Sequence, residues 1–158
     1  MTQQRITVIR GDGIGPDIID ATTKILDKVG CDFAYDYADA GLVALEEHGE
    51  LLPQETLDLI AKNKVALKGP LTTPVGEGFT SINVSLRKQF KLYANLRPVL
   101  SFKGTKARYE DIDIITVREN TQGMYSGLGQ VVSEDGNEAE AMSKITRDGA
   151  EKIVTFAP

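Results

Sequence analysis

Apolar and polar positions change their period several times along the first half of the chain. Residues 5–9, RITVI, form a short β-branched apolar run that predicts a buried strand, and a Gly-rich turn follows it. From Pro16 to Val29 apolar residues recur at spacings of three and four, which predicts a helix that Pro16 opens. Further strands are predicted at 33–41 and 64–69, and short helices at 42–48 and 52–62. This alternation indicates an α/β architecture.

The second half of the chain predicts a long loop, more strands and a last helix. Residues 69–81 have no packing pattern and are too many for a tight connection, and loops of that length are often functional. After this loop the pattern predicts a helix at 82–90, strands at 92–101 and 111–120, a strand and turn at 124–136, and a helix from Asn137 onward that carries Met142, Ile145, Ile153 and Phe156. Because Pro158 comes where this last helix should pack, we expect a fragment or a truncated chain.

Composition narrows the class of protein. The chain has 158 residues, of which 41% are apolar and 26% charged, and these values fit one globular domain. The net charge of -5 argues against nucleic acid or an anionic membrane as a partner. A single cysteine, Cys31, excludes an internal disulfide framework, and no apolar run reaches the length of a membrane span. No signal peptide is recognisable, so we expect a soluble cytoplasmic protein.

Three arginines occupy positions that suit ligand binding. Arg97 and Arg118 stand at the ends of predicted strands, and Arg87 shares a helix face with Asn83. Ser81, at the start of that helix, offers a hydroxyl beside free backbone N–H groups. Guanidiniums that converge in an acidic protein would suit a small polycarboxylate. For any one arginine alone, a surface ion-pair partner is the favoured interpretation, since most arginines are exposed, and the spacing alone does not overturn it.

Other polar residues each have two interpretations. Tyr125 could be a general acid or a half-buried strand tyrosine, and Lys68 could bind an anion or remain solvated. Thr72 could contact a ligand or cap a turn, whereas His48 is interpreted as a cation at a helix end. With one histidine and no Cys/His or carboxylate cluster at metal-ligand spacing, no metal ligands are expected in this chain.

The stretch RGDGIGPD, residues 10–17, looks at first like a dinucleotide-binding fingerprint. Its glycines are spaced two and two, whereas the Rossmann fingerprint is G-x-G-x-x-G. A Rossmann domain is therefore disfavoured, although Asp36 or Asp39 could stand for its acidic residue. The glycines are instead expected to allow positive φ and close backbone approach in the turn between the first strand and the first helix.

Three stretches together resemble one enzyme family. RGDGIGPD, KGPLTTPVGEGFTSINVSLRKQFKLYANLRPV and ITVRENTQGMYSG look like the N-terminal half of isocitrate and isopropylmalate dehydrogenases. TTP followed by S-x-N-x-x-x-R is similar to the isocitrate branch, and the later stretches most resemble NAD-linked isocitrate dehydrogenases. The resemblance, from Ile6 to about Phe156, implies an isocitrate/isopropylmalate dehydrogenase-like α/β fold that is not of the Rossmann type. Residues 1–100 would form the first portion of its large domain and 101–158 the start of its small domain, with the C-terminal half absent.

The resemblance also implies an activity, a site and partners. The family converts isocitrate to 2-oxoglutarate by oxidative decarboxylation, with NAD or NADP and with Mg²⁺ or Mn²⁺. The implied residues are a catalytic Tyr125, isocitrate contacts at Ser81, Asn83, Arg87, Arg97 and Arg118, and cofactor contacts at Ile14, Lys68, Thr72 and Asn83. The metal ligands, a lysine from the neighbouring subunit and the adenosine-binding loops would lie in the absent half, so we expect no turnover by this chain alone. A homodimer or larger oligomer is implied, as is the mitochondrial matrix for a processed eukaryotic chain.

A second class of function stays open. The chain could be a non-catalytic half-dehydrogenase module that binds a tricarboxylate or pairs with a dehydrogenase subunit. The arginine, serine and asparagine set fits both functions. An open reading frame with paired aspartates downstream of Pro158 would favour the enzyme, and a stop codon would favour the module.

Overall fold

The computed structural model describes residues 3–72 and 81–157, except for the side chain of Tyr125. The chain divides into two compact units, Met1–Asn83 and Val84–Pro158. Nowhere in the described ranges is a helix long and apolar enough to span a bilayer.

The first unit alternates strands and helices, as the sequence predicts. Its elements are β1 (Gln4–Ile9), α1 (Gly15–Lys28), β2 (Phe33–Ala38), α2 (Leu42–His48), α3 (Gln54–Asn63) and β3 (Ala66–Lys68). The three strands form a parallel sheet in the order β2-β1-β3. Because β1 is the middle strand, the carboxyl ends of β1 and β3 meet at one edge, where Ile9 pairs with Lys68. The predicted α/β architecture is confirmed for this unit.

The core of the first unit lies against β1. Every residue from Ile6 to Ile9 is buried, which is typical of a central strand in a parallel sheet. Ile6 and Val8 cluster with Ile19 of α1, and the partly buried side chains packed on this cluster are Phe33, Tyr35 and Leu67. Pro16 stands at the start of α1, and Asp17 lies in its first turn, where a carboxylate favours the helix dipole.

A polar network lies on the opposite face of β1 from this cluster, towards α3. Thr7 is fully buried, and its hydroxyl donates to the carbonyl of Leu59 at 3.2 Å. The side-chain amide of Asn63 donates to the Thr7 hydroxyl at 3.0 Å and to the Asp36 carboxylate at 2.9 Å. Arg5 pairs with the same carboxylate. The hydrogen bonds from Arg5 and Asn63 hold the pKa of Asp36 below its ordinary value.

The second unit contains a long hairpin and a terminal helix. Helix α4 (Ile82–Gln89) begins at the end of the first unit and continues into the second. The remaining elements are β4 (Ala94–Leu100), β5 (Asp113–Glu119), a 3₁₀ turn (Met124–Ser126), β6 (Val131–Val132), β7 (Ala139–Glu140) and α5 (Arg147–Phe156). Strands β4 and β5 are antiparallel, as are the two-residue strands β6 and β7.

The sequence predicts a helix from Asn137 onward, and this prediction is wrong for residues 137–146. Residues 139–140 pair with β6 instead, and the helix begins only at Arg147. Met142 and Ile145, whose spacing suggested an apolar helix face, are 58% and 73% exposed. The physical start signal is Thr146, whose hydroxyl accepts a hydrogen bond from the backbone N–H of Gly149 and caps α5.

Burial of apolar side chains is uneven between the units. Among the described residues of the second unit, Leu86 is the only buried apolar side chain. The β4–β5 hairpin leaves apolar side chains about half exposed, namely Leu96, Val99, Leu100, Ile114 and Ile115. The hairpin therefore presents more apolar surface to solvent than the parallel sheet of the first unit does.

Candidate functional site

The Gly-rich turn after β1 and the segment after β3 pack together at the carboxyl edge of the parallel sheet. The backbone N–H of Gly69 donates to the carbonyl of Ile9, and that of Asp12 donates to the carbonyl of Pro70, both at 2.8 Å. Ligands of open α/β sheets bind at this edge. The edge is therefore the candidate site of the first unit.

Two glycines explain why these backbones approach so closely. A Cβ on Gly11 would overlap the carbonyl oxygen of Pro70, and a Cβ on Gly69 would overlap that of Arg10. Gly11 and Gly13 also have positive φ, at 77° and 59°. The prediction that these glycines serve backbone conformation and close approach is confirmed.

Three predicted cofactor residues lie at this edge. Ile14 stands at the N-cap of α1 and is 68% exposed, so its side chain is open to a ligand. Lys68 ends β3, and its ammonium donates to the carbonyl of Gly69 at 2.7 Å. Thr72 is exposed just beyond. The geometry brings these three residues to one end of the sheet. Their contact with a cofactor stays a prediction.

Asp12 is a residue that sequence reasoning missed. It is 7% exposed, and its carboxylate accepts the backbone N–H of Leu42 at 2.9 Å and that of Thr72 at 2.6 Å. These donors lie 30 and 60 residues away along the chain. An aspartate between two glycines is a turn signal, but nothing in the local sequence names such distant partners.

The β4–β5 hairpin places two predicted substrate arginines on one face. Arg97 pairs with Thr116, and Arg118 pairs with Asn95. Residues paired across antiparallel strands share a face, so Arg97 and Arg118 are diagonal neighbours on it, with their backbones roughly 7–8 Å apart. Arg97 is exposed and its Nε donates to the Asn95 side chain at 3.3 Å, while Arg118 is half-buried. The strand alternation puts the acidic ends of β5 on the opposite face.

Arg118 also borders an open, largely apolar groove of about 630 Å³ within the second unit. Met124, Ile145 and Ile153 supply much of its wall.

The other predicted substrate residues lie along α4. Ser81 is exposed and immediately precedes the helix, Asn83 is half-buried in its first turn, and Arg87 is half-buried in its last turn. Tyr125 belongs to the 3₁₀ turn after β5, and its side chain lies outside the described part of the chain. The roles of all four residues stay predictions.

The segment after Arg118 is held by its own polar side chains. Burial favours a raised pKa for Glu119, but hydrogen bonds from Thr121 and from the backbone of Gln122 outweigh it and lower the pKa. The Gln122 side chain donates to the Thr146 hydroxyl at 2.9 Å and accepts the Thr146 N–H at 2.8 Å. Sequence reasoning missed this connection between the strand end and the cap of α5, since it joins residues 24 positions apart.

One group of described side chains could approach a metal ion. Ligand atoms of Asp39, Glu47 and His48 lie within 4.8 Å of one another, and all three residues are exposed. His48 ends α2 before Gly49, which adopts the left-handed C-cap conformation. The imidazole Nε2 lies 3.9 Å from each carboxylate, and the interpretation of His48 as a cation at a helix end stays a prediction.

The similarity of the chain to known proteins extends over both units. The chain matches the isocitrate/isopropylmalate dehydrogenase family over residues 5–158. It is 38% identical to a probable mitochondrial isocitrate dehydrogenase [NAD] subunit alpha from Drosophila melanogaster, covering 98% of this chain and 40% of that protein. It is 43% identical to an isocitrate dehydrogenase [NADP] from Thermus thermophilus, covering 96% of this chain and 31% of that protein.

A solved structure agrees with these sequence matches. The crystal structure of isocitrate dehydrogenase from Methylococcus capsulatus superposes with a TM-score of 0.90 at 46% identity, covering 98% of this chain and 46% of that one. The chain thus spans less than half the length of these relatives. The sequence motifs, the fold and the comparisons agree that the chain belongs to the isocitrate/isopropylmalate dehydrogenase family.

Proposed function

We propose that this chain contributes to the oxidative decarboxylation of isocitrate to 2-oxoglutarate, with reduction of NAD or NADP, as part of a longer family enzyme. The observation that carries the proposal is the pair of guanidiniums, Arg97 and Arg118, on one face of the β4–β5 hairpin. Neighbouring like charges repel, and a ligand with several carboxylates removes that repulsion while it accepts bidentate hydrogen bonds. Relatives named as isocitrate dehydrogenases support the choice of ligand.

In this proposal, the residues of the chain bind the substrate and move one proton. Arg87, Arg97 and Arg118 neutralise the carboxylates of isocitrate. The short side chains of Ser81 and Asn83 hydrogen-bond to the same substrate. The phenol of Tyr125 donates a proton to the carbon that has lost CO₂, acting as a general acid.

The cofactor would bind at the carboxyl edge of the parallel sheet. When bound, NAD or NADP supplies the hydride acceptor for oxidation of the carbinol carbon. Ile14, Lys68 and Thr72, together with Asn83, would contact its nicotinamide end. The exposure of Ile14 and Thr72 beside the Gly-rich turn supports this role. NAD is favoured over NADP by the overall resemblance to NAD-linked enzymes.

The described residues around the arginines do not fit a divalent metal. Within the paired strands the polar groups on that face are two guanidiniums, the Asn95 amide and the Thr116 hydroxyl. Mg²⁺ and Mn²⁺ require carboxylate oxygens. We therefore propose that the metal ligands lie outside this chain and assign no step to a metal here. For the same reason we propose that the 158-residue chain is inactive alone.

Isothermal titration calorimetry of the chain with isocitrate, with and without Mn²⁺, tests the proposal. Arg97→Ala should weaken binding about ten-fold to a hundred-fold, because hydrogen bonds to charged groups contribute about 1.5–3 kcal/mol. Arg97→Lys should recover only part of the loss, since an ammonium cannot make the bidentate contact. The matched control is Arg147→Ala, which removes an exposed arginine that pairs with Glu151 on α5. Equal affinities for Arg97→Ala and wild type would refute the assignment.

A turnover assay with NAD, isocitrate and Mn²⁺ tests the second part of the proposal. We expect no NADH formation above background. Turnover near that of a full-length family enzyme would contradict it.

The alternative proposal is a non-catalytic half-dehydrogenase module. The exposed apolar side chains of the hairpin favour this possibility, because a partner subunit of the same family would cover them. Mixing the chain with a full-length family enzyme and measuring the complex by analytical ultracentrifugation distinguishes the two. A stable mixed complex that leaves the partner's kcat unchanged supports the module.

The remaining assignments follow from the family resemblance. We propose that residues 1–100 belong to the large domain of the family fold and 101–158 to its small domain. We further propose a homodimer or larger oligomer as the working state. A cytoplasmic location is proposed, or the mitochondrial matrix if the source is eukaryotic, because several relatives carry the word mitochondrial in their names.

A further inference from the structure

The carboxylate of Asp12 connects three segments of the first unit. One oxygen accepts the backbone N–H of Leu42 at 2.9 Å, at the start of α2, and the other accepts that of Thr72 at 2.6 Å. The backbone of Asp12 is itself fixed in the Gly-rich turn, where its carbonyl accepts the N–H of Gly15 at 2.9 Å. Every polar group of this buried residue is therefore used.

The start of α2 depends on this residue for its cap. The N-cap is Gly41, which has no side chain to accept a backbone N–H, so Asp12 supplies the acceptor from 30 residues away. Gly41 leaves the space that the carboxylate occupies, since a Cβ at that position would overlap Oδ2 of Asp12. No ion pair among the described residues includes Asp12, so backbone N–H dipoles are what stabilise its charge.

We propose that Asp12 is a positioning residue that couples the start of α2 to the backbone of Thr72 and thereby fixes the edge where the nicotinamide end of the cofactor would bind. This inference rests on the proposed function for the identity of that ligand. The two oxygens belong to one planar group. A displacement of α2 therefore turns the carboxylate and disturbs its bond to Thr72.

Amide hydrogen exchange of the ¹⁵N-labelled chain, followed by NMR, tests the coupling. In the wild-type chain the Thr72 amide should exchange at least ten-fold more slowly than an unprotected amide, with a downfield proton shift from its charged acceptor. If Thr72 exchanges at the unprotected rate, the coupling is refuted without any variant.

The Asp12→Asn variant then removes one of the two hydrogen-bond acceptors of the side chain. An asparagine offers one oxygen and one NH₂ group, so only one of the two backbone donors keeps its acceptor. Exchange at Thr72 or Leu42 should rise about ten-fold to a hundred-fold, while that at Val8 in β1 changes by less than two-fold. Asp17→Asn, at an exposed aspartate in the first turn of α1, is the control and should change none of them. No change at Thr72 and Leu42 in Asp12→Asn overturns the coupling.

A titration with NAD, watched at the amides of Ile14 and Thr72, tests the positioning role. Asp12→Asn should weaken NAD binding at least ten-fold while Val8 stays protected, a combination that a general loss of stability does not produce. Unchanged affinity in Asp12→Asn would refute positioning. Because only the nicotinamide end contacts this chain, NAD is titrated to millimolar concentration, and if it shifts neither amide in the wild-type chain the proposed cofactor edge fails, while hydrogen exchange still decides the coupling.

Discussion

Removing the side-chain amide of Asn63 should destabilise the first unit in two measurable ways. Asn63 is 7% exposed at the end of α3, and its amide donates to the fully buried Thr7 hydroxyl at 3.0 Å. In Asn63→Ala the lost neutral hydrogen bond and the small cavity each cost about 1 kcal/mol, and the better helix propensity of alanine offsets about 0.5 kcal/mol. The Thr7 hydroxyl keeps its bond to the Leu59 carbonyl, so no orphaned donor adds to the cost. These contributions give a net loss of about 1.5 kcal/mol, and at neutral pH the lost hydrogen bond to the ionised Asp36 carboxylate adds to it.

The second effect is on Asp36. Its pKa is held below the ordinary value first by the hydrogen bond from Arg5 and then by that from Asn63. Asn63→Ala should therefore raise the pKa of Asp36 without restoring it fully. A carboxyl with a depressed folded-state pKa stabilises the fold above its unfolded pKa, and that contribution disappears as the pH falls through the folded pKa. The stability gap between wild type and variant should therefore narrow in acid.

Urea unfolding, read from the NMR signals of β1, measures the free energy of unfolding of this unit. Asp36 is titrated through its side-chain carbon shift. Gln54→Ala is the matched control. Like Asn63, Gln54 lies on α3 and its side-chain amide donates to an aspartate, here Asp58 at 2.8 Å, but this hydrogen bond is exposed. The control should change stability by less than about 0.5 kcal/mol. A similarly small change for Asn63→Ala, or an unmoved pKa of Asp36, would refute the reasoning.

Three further predictions test other contacts. Gly11→Ala should cost about 2–4 kcal/mol in a thermal or urea melt, because it adds backbone overlap to an unfavourable φ, whereas Gly13→Ala has open space around its Cβ and should cost about 1–2 kcal/mol for φ alone. Ser133→Ala should raise the pKa of Asp135 from about 2, because the Ser133 hydroxyl is the largest cause of its depression, and an NMR pH titration measures the change. Thr146→Ala should cost about 1 kcal/mol and speed amide exchange in the first turn of α5, since it removes the N-cap.

Each of these has an outcome that contradicts it. Equal costs at Gly11 and Gly13 would mean that close backbone approach does not matter there. An unchanged Asp135 titration would remove the hydroxyl as its cause. Unaltered exchange in α5 would show that the connection to Gln122 alone holds the helix start.

The elements of the first unit could be predicted because each has a strong local signal. β1 is a continuous apolar run, α1 has a regular period opened by Pro16, and glycines separate the two. The start of the last helix could not be predicted, because its local signal is weak. Its apparent apolar face, Met142 and Ile145, is exposed in an irregular segment, while the real start depends on a single capping hydroxyl.

The candidate site could be predicted in its residue types but not in its arrangement. The sequence pattern places Arg97 and Arg118 at the ends of predicted strands. Whether the two residues share a face depends on the register of β4 against β5. Asp12 was missed because its partners at Leu42 and Thr72 become neighbours only after the sheet forms. Local patterns report periodicity, whereas buried polar contacts depend on long-range pairing.

The uneven distribution of buried apolar side chains has a consequence for how the isolated chain unfolds. The first unit has a core around β1, whereas the described part of the second has Leu86 as its only buried apolar side chain. Cooperative unfolding requires that losing one region removes support from the rest. We therefore expect the hairpin and α5 to open at lower temperature than the parallel sheet, giving two transitions by calorimetry. A partner that covers the hairpin should merge them into one.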